Sequence, residues 1–457
     1  MNLHFGTDGL RGVANQDLTP ELVMGLGKAV AKVIPEKSFL IGRDTRKSGP
    51  FLQAALSAGL ASQGLDVIDL GVLPTPALAY LATAMNMPAA MISASHNQYF
   101  DNGIKLLSQA GMKLPDTLER AIEDELGKVI SYGYAAIPRT QTDGEMNLYK
   151  VGNITQDLTL KTRYVEYLAK LCEPAMPDIA KANLKIVCDL ANGAAVSVAK
   201  DLFDKIGVEV GLIADSPDGY NINYQCGSTH LSHLASKVVS SKANFGLAFD
   251  GDADRVLAID ESGKAIDGDQ LMAMFAIDMH KNGILSPPMI AVTVMSNLGL
   301  HRSLKEHGIE VISTQVGDRN VLDAIEANGL LLGGEQSGHI IFRNTATTGD
   351  GLLTAIMLIS LLARSNESLG SLAGKVMTKY PQVLINVPIS SPVSIDQSVA
   401  CRDAISAAKN LLGTDGRVLV RPSGTEPVVR VMVEAVTRIM ADQVANDLVS
   451  VIEQEFV

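Results

Sequence analysis

The sequence predicts an α/β protein, with three similar doubly wound α/β domains followed by a smaller C-terminal α+β domain. Three observations carry this reading. Short apolar runs alternate with helical stretches along most of the chain, and these runs end in Ser, Asp, Asn or Gly. After Lys379-Tyr380-Pro381 the pattern changes to alternating apolar and polar residues, the mark of antiparallel strands with one buried face.

In the first set, Phe39-Ile41, Val67-Leu70 and Ala89-Ile92 read as buried strands, with a helix over Phe51 to Gln63 between the first two. The polar stretch Tyr132 to Asn153 marks the first boundary and places domain 1 at residues 1–150. Strand Leu184-Asp189, helix Ala195 to Ile206, strand Val208-Ile213 and strand Phe245-Phe249 make the second domain, 151–255. Met289-Val294, Val311-Thr314 and Leu330-Leu332 make the third, 256–375. There the most apolar run, Gly351 to Ala363, falls short of the ~20 residues a membrane span needs. It reads as a buried helix capped at Thr348 or Asp350. The alternating runs Val383-Val387, Arg417-Val420 and Val428-Val433, with the amphipathic helix Ala441 to Phe456, make domain 4, 376–457. The first three sets share a plan with weak sequence identity, as descendants of a repeat would.

The chain has 457 residues, 47% of them hydrophobic and 19% charged, which leaves ample core for a globular protein. A net charge of −12 argues against nucleic acid or an anionic membrane as the main partner. An anionic small molecule would need local cations, and Arg11, Lys105, Arg255, Arg421 and Arg430 all stand in or beside the motif loops. Cys172, Cys188, Cys226 and Cys401 form no C-x-x-C pair and read as reduced thiols. The start, MNLHFGTDGLRG, lacks the basic and apolar regions of a signal peptide, so a cytoplasmic location is expected.

Met91 to Lys105 reads MISASHNQYFDNGIK. A strand running into small polar residues places Ser95 exposed at a carboxyl strand end, where open α/β sheets bind ligands. His96 stands beside it, and the Asn102-Gly103 turn is expected to bring Lys105 back. A serine so placed is a nucleophile or a phosphate carrier; a polar loop without chemistry is the alternative. No G-x-S-x-G elbow surrounds Ser95, which argues against a serine hydrolase.

Ala243 to Ile259, ANFGLAFDGDADRVLAI, reads as strand, acidic loop, strand. Asp250, Asp252 and Asp254 alternate, so an extended loop would point the three carboxylates one way. Converged carboxylates repel by roughly 4 kcal/mol per pair at 4 Å and an effective dielectric near 20. A hard divalent cation relieves this. An EF-hand is excluded because its Gly position is occupied by Arg255 and the flanks are strands, which leaves Mg²⁺. Arg255 either holds phosphate oxygens or pairs with the neighbouring aspartates.

Gly333-Gly-Glu-Gln-Ser-Gly-His339 offers Glu335 and Ser337 to a pair of sugar hydroxyls. Arg421-Pro-Ser-Gly-Thr-Glu-Pro427, flanked by Arg430, offers Ser423, Gly424 and Thr425 to a phosphate dianion. Lys105 and His339 are candidates for moving the attacking hydroxyl's proton, with His96 orienting Ser95. Gly317-Asp-Arg319 follows a strand and either contacts phosphate or braces the sugar loop. His4, His230, His233, His280, His301 and His307 show no metal-ligand spacing, and no role follows for Cys226-Gly-Ser-Thr-His230.

Ser-Ala-Ser-His-Asn, Asp-Gly-Asp-Ala-Asp-Arg, Gly-Gly-Glu-Gln-Ser-Gly-His and Arg-Pro-Ser-Gly-Thr-Glu-Pro occur in that order. Together they resemble the four signature loops of the α-D-phosphohexomutases, over nearly the whole chain. The third loop, with Phe5-Gly-Thr-Asp-Gly-Leu-Arg-Gly12, is similar to that of bacterial members acting on glucosamine phosphates. Gln98 departs from the family's Pro after His-Asn, which lessens the expected rigidity of that loop without removing a reacting group.

The resemblance implies four domains around a central cleft and one Mg²⁺ per subunit, held by phosphorylated Ser95 with Asp250, Asp252 and Asp254. It implies interconversion of glucosamine 6-phosphate and glucosamine 1-phosphate through a bisphosphorylated sugar, which is intermediate and activator. The product would feed UDP-N-acetylglucosamine and cell-wall precursor synthesis. Ser95, His96, Lys105, Arg11 and His339 would carry the chemistry. Arg255, Glu335, Ser337, Arg421, Ser423, Gly424, Thr425 and Arg430 would bind substrate. Phosphomannomutase or phosphoglucomutase specificity stays open. So does a non-catalytic phosphosugar-binding regulator, although such a protein would not need both Ser95 and the aspartates. The expected partner is a small hexosamine phosphate, with a homodimer left open.

Overall fold

Four sheets organise the chain, and each sets a hairpin at the place where a motif loop is needed. The structure is a computed structural model that describes residues 5–6, 9–133, 151–389, 395–423 and 427–456. Thr7, Asp8, most of the expected boundary between Tyr132 and Asn153, and Gly424 and Thr425 of the expected phosphate loop lie outside those residues. The chain divides into two compact units, one of residues 1–294 and 312–373, the other of residues 295–311 and 374–457.

In the first unit, the first sheet is built from β1 (Leu10–Val13), β2 (Ser38–Arg43), β3 (Asp66–Val72), β4 (Ala89–Ile92), β5 (Asp101–Leu107) and β6 (Ile154–Gln156). Their order is β1-β5-β4-β2-β3-β6. The run β4-β2-β3-β6 is parallel, as the apolar strands predict, while β5 and β1 add an antiparallel edge. Parallel strands covered on both faces read as continuous apolar runs, and Phe39, Leu40 and Ile41 of β2 are all at 0% exposure. Each such side chain contributes about 1.5–3 kcal/mol by leaving water.

The second sheet contains β7 (Lys185–Asp189), β8 (Glu209–Ile213), β9 (Phe245–Phe249), β10 (Val256–Ile259) and β11 (Ala265–Ile266), in the order β11-β10-β9-β7-β8. Here β7, β8 and β9 are parallel, and β10 turns back against β9. The third sheet contains β12 (Met289–Thr293), β13 (Glu310–Thr314), β14 (Leu332–Gly334) and β15 (Ile340–Phe342), in the order β13-β12-β14-β15. Again β14 is parallel to β12, and β15 turns back against it. The loops 93–100, 250–255 and 335–339 are thus the same connection in three successive sheets, from a parallel strand into an antiparallel one.

Three local expectations change, and one alternative is resolved. The segment containing Asn102 and Gly103 is strand, with Met91 opposite Lys105, so the chain reverses earlier, within 93–100, and Lys105 is brought back by strand pairing. The expected helix over Ala195 to Ile206 is broken into a 3-10 turn, Ala194–Ser197, and a helix, Ala199–Ile206. The strand expected at Leu330-Leu332 runs over Leu332–Gly334, taking in the first two glycines of the sugar loop. Asp350 rather than Thr348 caps the helix Gly351–Ser365, accepting the Leu353 N–H at 2.9 Å. Among the described residues no single helix is long and apolar enough to cross a membrane.

The second unit has a sheet of β16 (Gln382–Pro388), β17 (Gly416–Pro422) and β18 (Val428–Ala435), ordered β16-β18-β17 and fully antiparallel. Helices Val399–Leu412 and Arg438–Phe456 supply Cys401, Ala408, Leu412, Ala441, Val444, Ala445, Leu448 and Ile452 to its core, with Val429, Val431 and Val433 from β18. The helix Leu298–Glu306 belongs to this unit, with the buried Glu434 accepting from Asn297 Nδ2 at 3.2 Å and Leu298 N–H at 2.9 Å.

Candidate active site

Ser95 lies at the end of β4, but it is only 2% exposed, so the expectation of an exposed loop serine is corrected. Its backbone is left-handed, with φ at +50°. That turns the hydroxyl toward the acidic loop, where it donates to Asp250 Oδ2 at 2.6 Å. The acidic loop is not extended either. Ala253 is left-handed, with φ at +57°, and a turn rather than strand alternation gathers the three carboxylates. One oxygen each from Asp250, Asp252 and Asp254 lies within 4.8 Å of the others, so the cluster could hold a metal ion.

At one point the two loops meet backbone to backbone. A Cβ on Gly251 would stand 2.5 Å from the Ser95 carbonyl oxygen, so only glycine lets the acidic loop approach. From behind, the Ala194 N–H holds the Gly251 carbonyl at 2.7 Å, and the Gly351 N–H holds that of Ala253 at 3.1 Å.

The carboxylates are unequally served. Asp252 Oδ2 accepts from the Thr75 hydroxyl at 2.7 Å and from Lys105 Nζ at 3.0 Å, and the Asp252 carbonyl accepts the Thr75 N–H at 2.9 Å. Thr75 opens the helix Thr75–Met85, so Asp252 also sits at a helix amino end, which favours negative charge. Burial alone would push Asp252 up, but Lys105, the Thr75 hydroxyl and Arg255 hold it well below the usual carboxylate range. Asp250 goes the other way: burial first, then the charges of Asp254 and Asp252, raise it well above that range. Asp252 Oδ1 and Asp254 Oδ1 are buried and accept no hydrogen bond among the described residues. Two orphan carboxylate oxygens beside a carboxylate short of counter-charge fit a hard cation.

Arg255 makes the expected contact with a neighbouring aspartate and reaches His96 as well. Its Nε lies 3.7 Å from Asp254 Oδ1, and its Nη1 lies 3.2 Å from His96 Nδ1. Since the guanidinium can only donate, His96 Nδ1 accepts, and the ring carries its proton on Nε2. Burial, then Arg255 and Arg11, lower the His96 pKa, which keeps the ring neutral. Ser95 Oγ is 3.5 Å from the same Nδ1. Arg11 lies on β1 opposite Gly103 of β5.

His339 and Lys105 line one pocket of about 230 Å³, with Asp254, Asp318 and Lys113. His339 Nε2 accepts the Gly349 N–H at 3.2 Å, so its proton is on Nδ1, which is buried and has no partner among the described residues. Lys105 also lies 3.7 Å from Asp254, so it faces two of the carboxylates.

Glu335 accepts the Gly317 N–H at 3.2 Å and the Ser337 hydroxyl at 3.4 Å. Gly317-Asp-Arg319 is a brace: Asp318 pairs with Lys113 at 2.5 Å, and Arg319 pairs with Asp116 and Glu119 on the helix Asp116–Ser131. Burial opposes the Asp318 charge, but Lys113 and then His339 hold its carboxyl well below the usual range.

In the second unit, Arg421 of β17 and Arg430 of β18 are register partners, and the Ser423 N–H holds the Val428 carbonyl at 2.8 Å. Two guanidiniums at one register position concentrate positive charge, which favours an anion there.

Sequence reasoning missed Arg46, Asn223 and Thr75. Arg46 lies in Gly42-Arg-Asp-Thr-Arg46, charged residues directly past buried β2, at the same sheet end as Ser95. That position was the available signal. Thr75 and Asn223 carry none, because a lone hydroxyl or amide in a connection looks like any other.

Comparison with known proteins agrees with this geometry. Phosphoglucomutase/phosphomannomutase family models match four times: alpha/beta/alpha domain I at residues 2–132, domain II at 162–263, domain III at 267–380, and the C-terminal domain at 384–451. The chain is 46% identical to the phosphoglucosamine mutase of Pelotomaculum thermopropionicum, over 99% of this chain and 100% of that one. The crystal structure of a phosphoglucomutase/phosphomannomutase family protein from Burkholderia thailandensis has the same fold, with a TM-score of 0.76 at 24% identity, covering 98% of this chain and 97% of that one. The Aspergillus fumigatus N-acetylphosphoglucosamine mutase, solved with GlcNAc-6P and magnesium, gives 0.69 at 17% identity, over 100% and 96%. The chain belongs to the phosphoglucomutase/phosphomannomutase family.

Proposed function

We propose that the protein is a phosphoglucosamine mutase, interconverting glucosamine 6-phosphate and glucosamine 1-phosphate. The observation that carries this is the buried Ser95 hydroxyl, 2.6 Å from Asp250 at the edge of a three-carboxylate cluster. The full-length identity to a phosphoglucosamine mutase supports the substrate.

Phosphoryl transfer asks the protein mainly for positioning and charge neutralisation. Ser95 carries the phosphoryl group and hands it to a sugar hydroxyl, giving a bisphosphorylated sugar; the hydroxyl gives up its proton as the bond from phosphorus to Ser95 Oγ breaks, and Ser95 Oγ takes up a proton as it leaves. The sugar turns over, and Ser95 recovers a phosphoryl group from its other end, with the Ser95 proton passing to Asp250 Oδ2. Asp250, Asp252 and Asp254 would hold Mg²⁺, which neutralises phosphoryl charge when bound. Arg255 reaches from the same loop toward His96 and is placed to grip phosphoryl oxygens once Ser95 is loaded. Lys105 lies between Asp252 and Asp254, a place that suits it to balancing charge. His339 lines the pocket and keeps an Nδ1–H with no acceptor among the described residues, a donor a substrate hydroxyl could use. Glu335 and Ser337 would bind the sugar and Arg421, Ser423, Gly424, Thr425 and Arg430 its phosphate, with Arg11 among the groups that carry the chemistry. Four domains, in chain order, would divide these tasks. The four free cysteines are buried and suit a reducing cytoplasm.

Intact-mass measurement of freshly purified protein should show one phosphoryl group, absent from Ser95→Ala. That variant should fold and lose mutase turnover, assayed with the bisphosphate activator present. Turnover at the wild-type rate would end the assignment. Comparing rates on glucosamine, glucose and mannose phosphates separates this reading from a phosphoglucomutase or phosphomannomutase.

A further inference from the structure

We propose that Arg46 and Asn223 are positioning residues for phosphoryl transfer, holding the loop of Ser95 by its backbone carbonyls. Arg46 is at 0% exposure. Its Nη2 donates to the carbonyls of Ser95 at 2.9 Å and Asn97 at 3.0 Å, and its Nη1 to that of Gln98. Asn223 Nδ2 donates to the first two again, at 2.8 and 2.9 Å. The loop is thus held by a side chain from beyond β2 and by another from the connection that follows β8.

The grip closes into a ring. Arg46 Nε donates to Asp44 Oδ2 at 2.9 Å, which also accepts the Ser93 hydroxyl at 2.6 Å. Ser93 Oγ in turn accepts the Ser95 N–H at 2.9 Å. Both backbone polar groups of Ser95 are therefore committed to residues that touch no reacting atom. A non-glycine residue in the left-handed region persists only where its surroundings hold it there, and these contacts do so. The ring also supplies the stiffness that Gln98 forgoes by not being proline, because a carbonyl serves Arg46 whatever the side chain. A serine that gives up a phosphoryl group and takes one back after the sugar has turned must stand in one place for both transfers. Misplacement by about 1 Å costs on the order of 100-fold in rate.

The inference rests on Ser95 as the phosphoryl carrier, and the experiment separates the two. Steady-state kinetics on glucosamine 6-phosphate would be measured for the full-length Mg²⁺-loaded enzyme and for Asn223→Ala, Arg46→Lys and Ser95→Ala, with thermal melting to establish folding. Asn223→Ala should lower kcat by about tenfold or more while KM stays within about twofold, because positioning acts on the transfer step and not on substrate capture. Arg46→Lys keeps the charge but not the fork, and should fall further. A smaller fall in kcat for a folded variant, or a fall matched by an equal rise in KM, overturns the proposal. If Arg46→Lys does not fold, Asn223→Ala decides alone. An active Ser95→Ala would instead overturn the carrier itself.

Discussion

Arg421 and Arg430 stand directly opposite one another across the antiparallel strands β17 and β18. Burial, then the charge of Arg430, lowers the pKa of Arg421, so the pair carries an electrostatic cost that a bound anion would reverse.

Arg430→Ala should therefore weaken substrate capture and orientation together, raising KM and lowering kcat. The expected loss in kcat/KM corresponds to roughly 1.5–3 kcal/mol, the range for a hydrogen bond to a charged group. Inorganic phosphate should raise the melting temperature of the wild type more than that of the variant. Equal responses would move the phosphate grip elsewhere.

Metal should bind through oxygen alone, and a chelator should stop turnover without unfolding the protein. Asp252→Asn removes the charge on the carboxylate whose Oδ2 serves Thr75 and Lys105 and whose Oδ1 takes no hydrogen bond among the described residues. Titration calorimetry should show Mg²⁺ affinity lowered by about tenfold or more, since changes even outside the ligand set cost about 10- to 100-fold. Full activity in excess chelator is the contrary result.

Glu335 is a carboxylate that can pair with a sugar ammonium, and the Gly317 N–H fixes one of its oxygens. Glu335→Gln keeps the shape and removes the charge. The ratio of specificity constants for glucosamine over glucose phosphates should fall by the equivalent of about 1–2 kcal/mol, near the upper end for a partly solvated pair. An unchanged ratio means that Glu335 reads only the hydroxyls.

Burial pushes the Asp350 carboxyl up to about 6, although it accepts hydrogen bonds from the Leu353 N–H and the Tyr164 hydroxyl. An acid raised on folding costs nothing below its unfolded value. Stability is lost as pH rises from about 4 to about 6 and levels off above that, and the full effect is about 3 kcal/mol. Asp350→Asn keeps the cap and removes the titration. Urea unfolding with chelator present should show the wild type losing stability relative to the variant across that window. A constant difference would show that Asp350 is ionised throughout.

The sheet strands were legible because buried parallel strands are written as uninterrupted apolar runs, as in Phe39-Ile41 and Phe245-Phe249. The return strand β5 was not, because Asp101, Asn102 and Gly103 have the composition of a turn, and only pairing with β4 makes them strand. The aspartates announced a metal cluster by their number and spacing, yet the left-handed turn at Ala253 that gathers them has no signature, since alanine seldom adopts it. Lys105 and His339 could be named as candidates, but what each pairs with is a tertiary fact. The same holds for Arg46: its chemistry is written beside β2, and its partners are carbonyls, which no sequence pattern marks.

The missing side chain at Gly251 has a consequence for how this protein tolerates change. With the Gly251 backbone set directly against the Ser95 carbonyl, no side chain of its own at that point can give way when either the phosphoserine loop or the metal loop shifts. Substitutions on the two sides will not act independently: a change harmless in one loop can become damaging after a change in the other. Variation in this region must then be inherited in matched sets, and combined variants will depart from the sum of their parts.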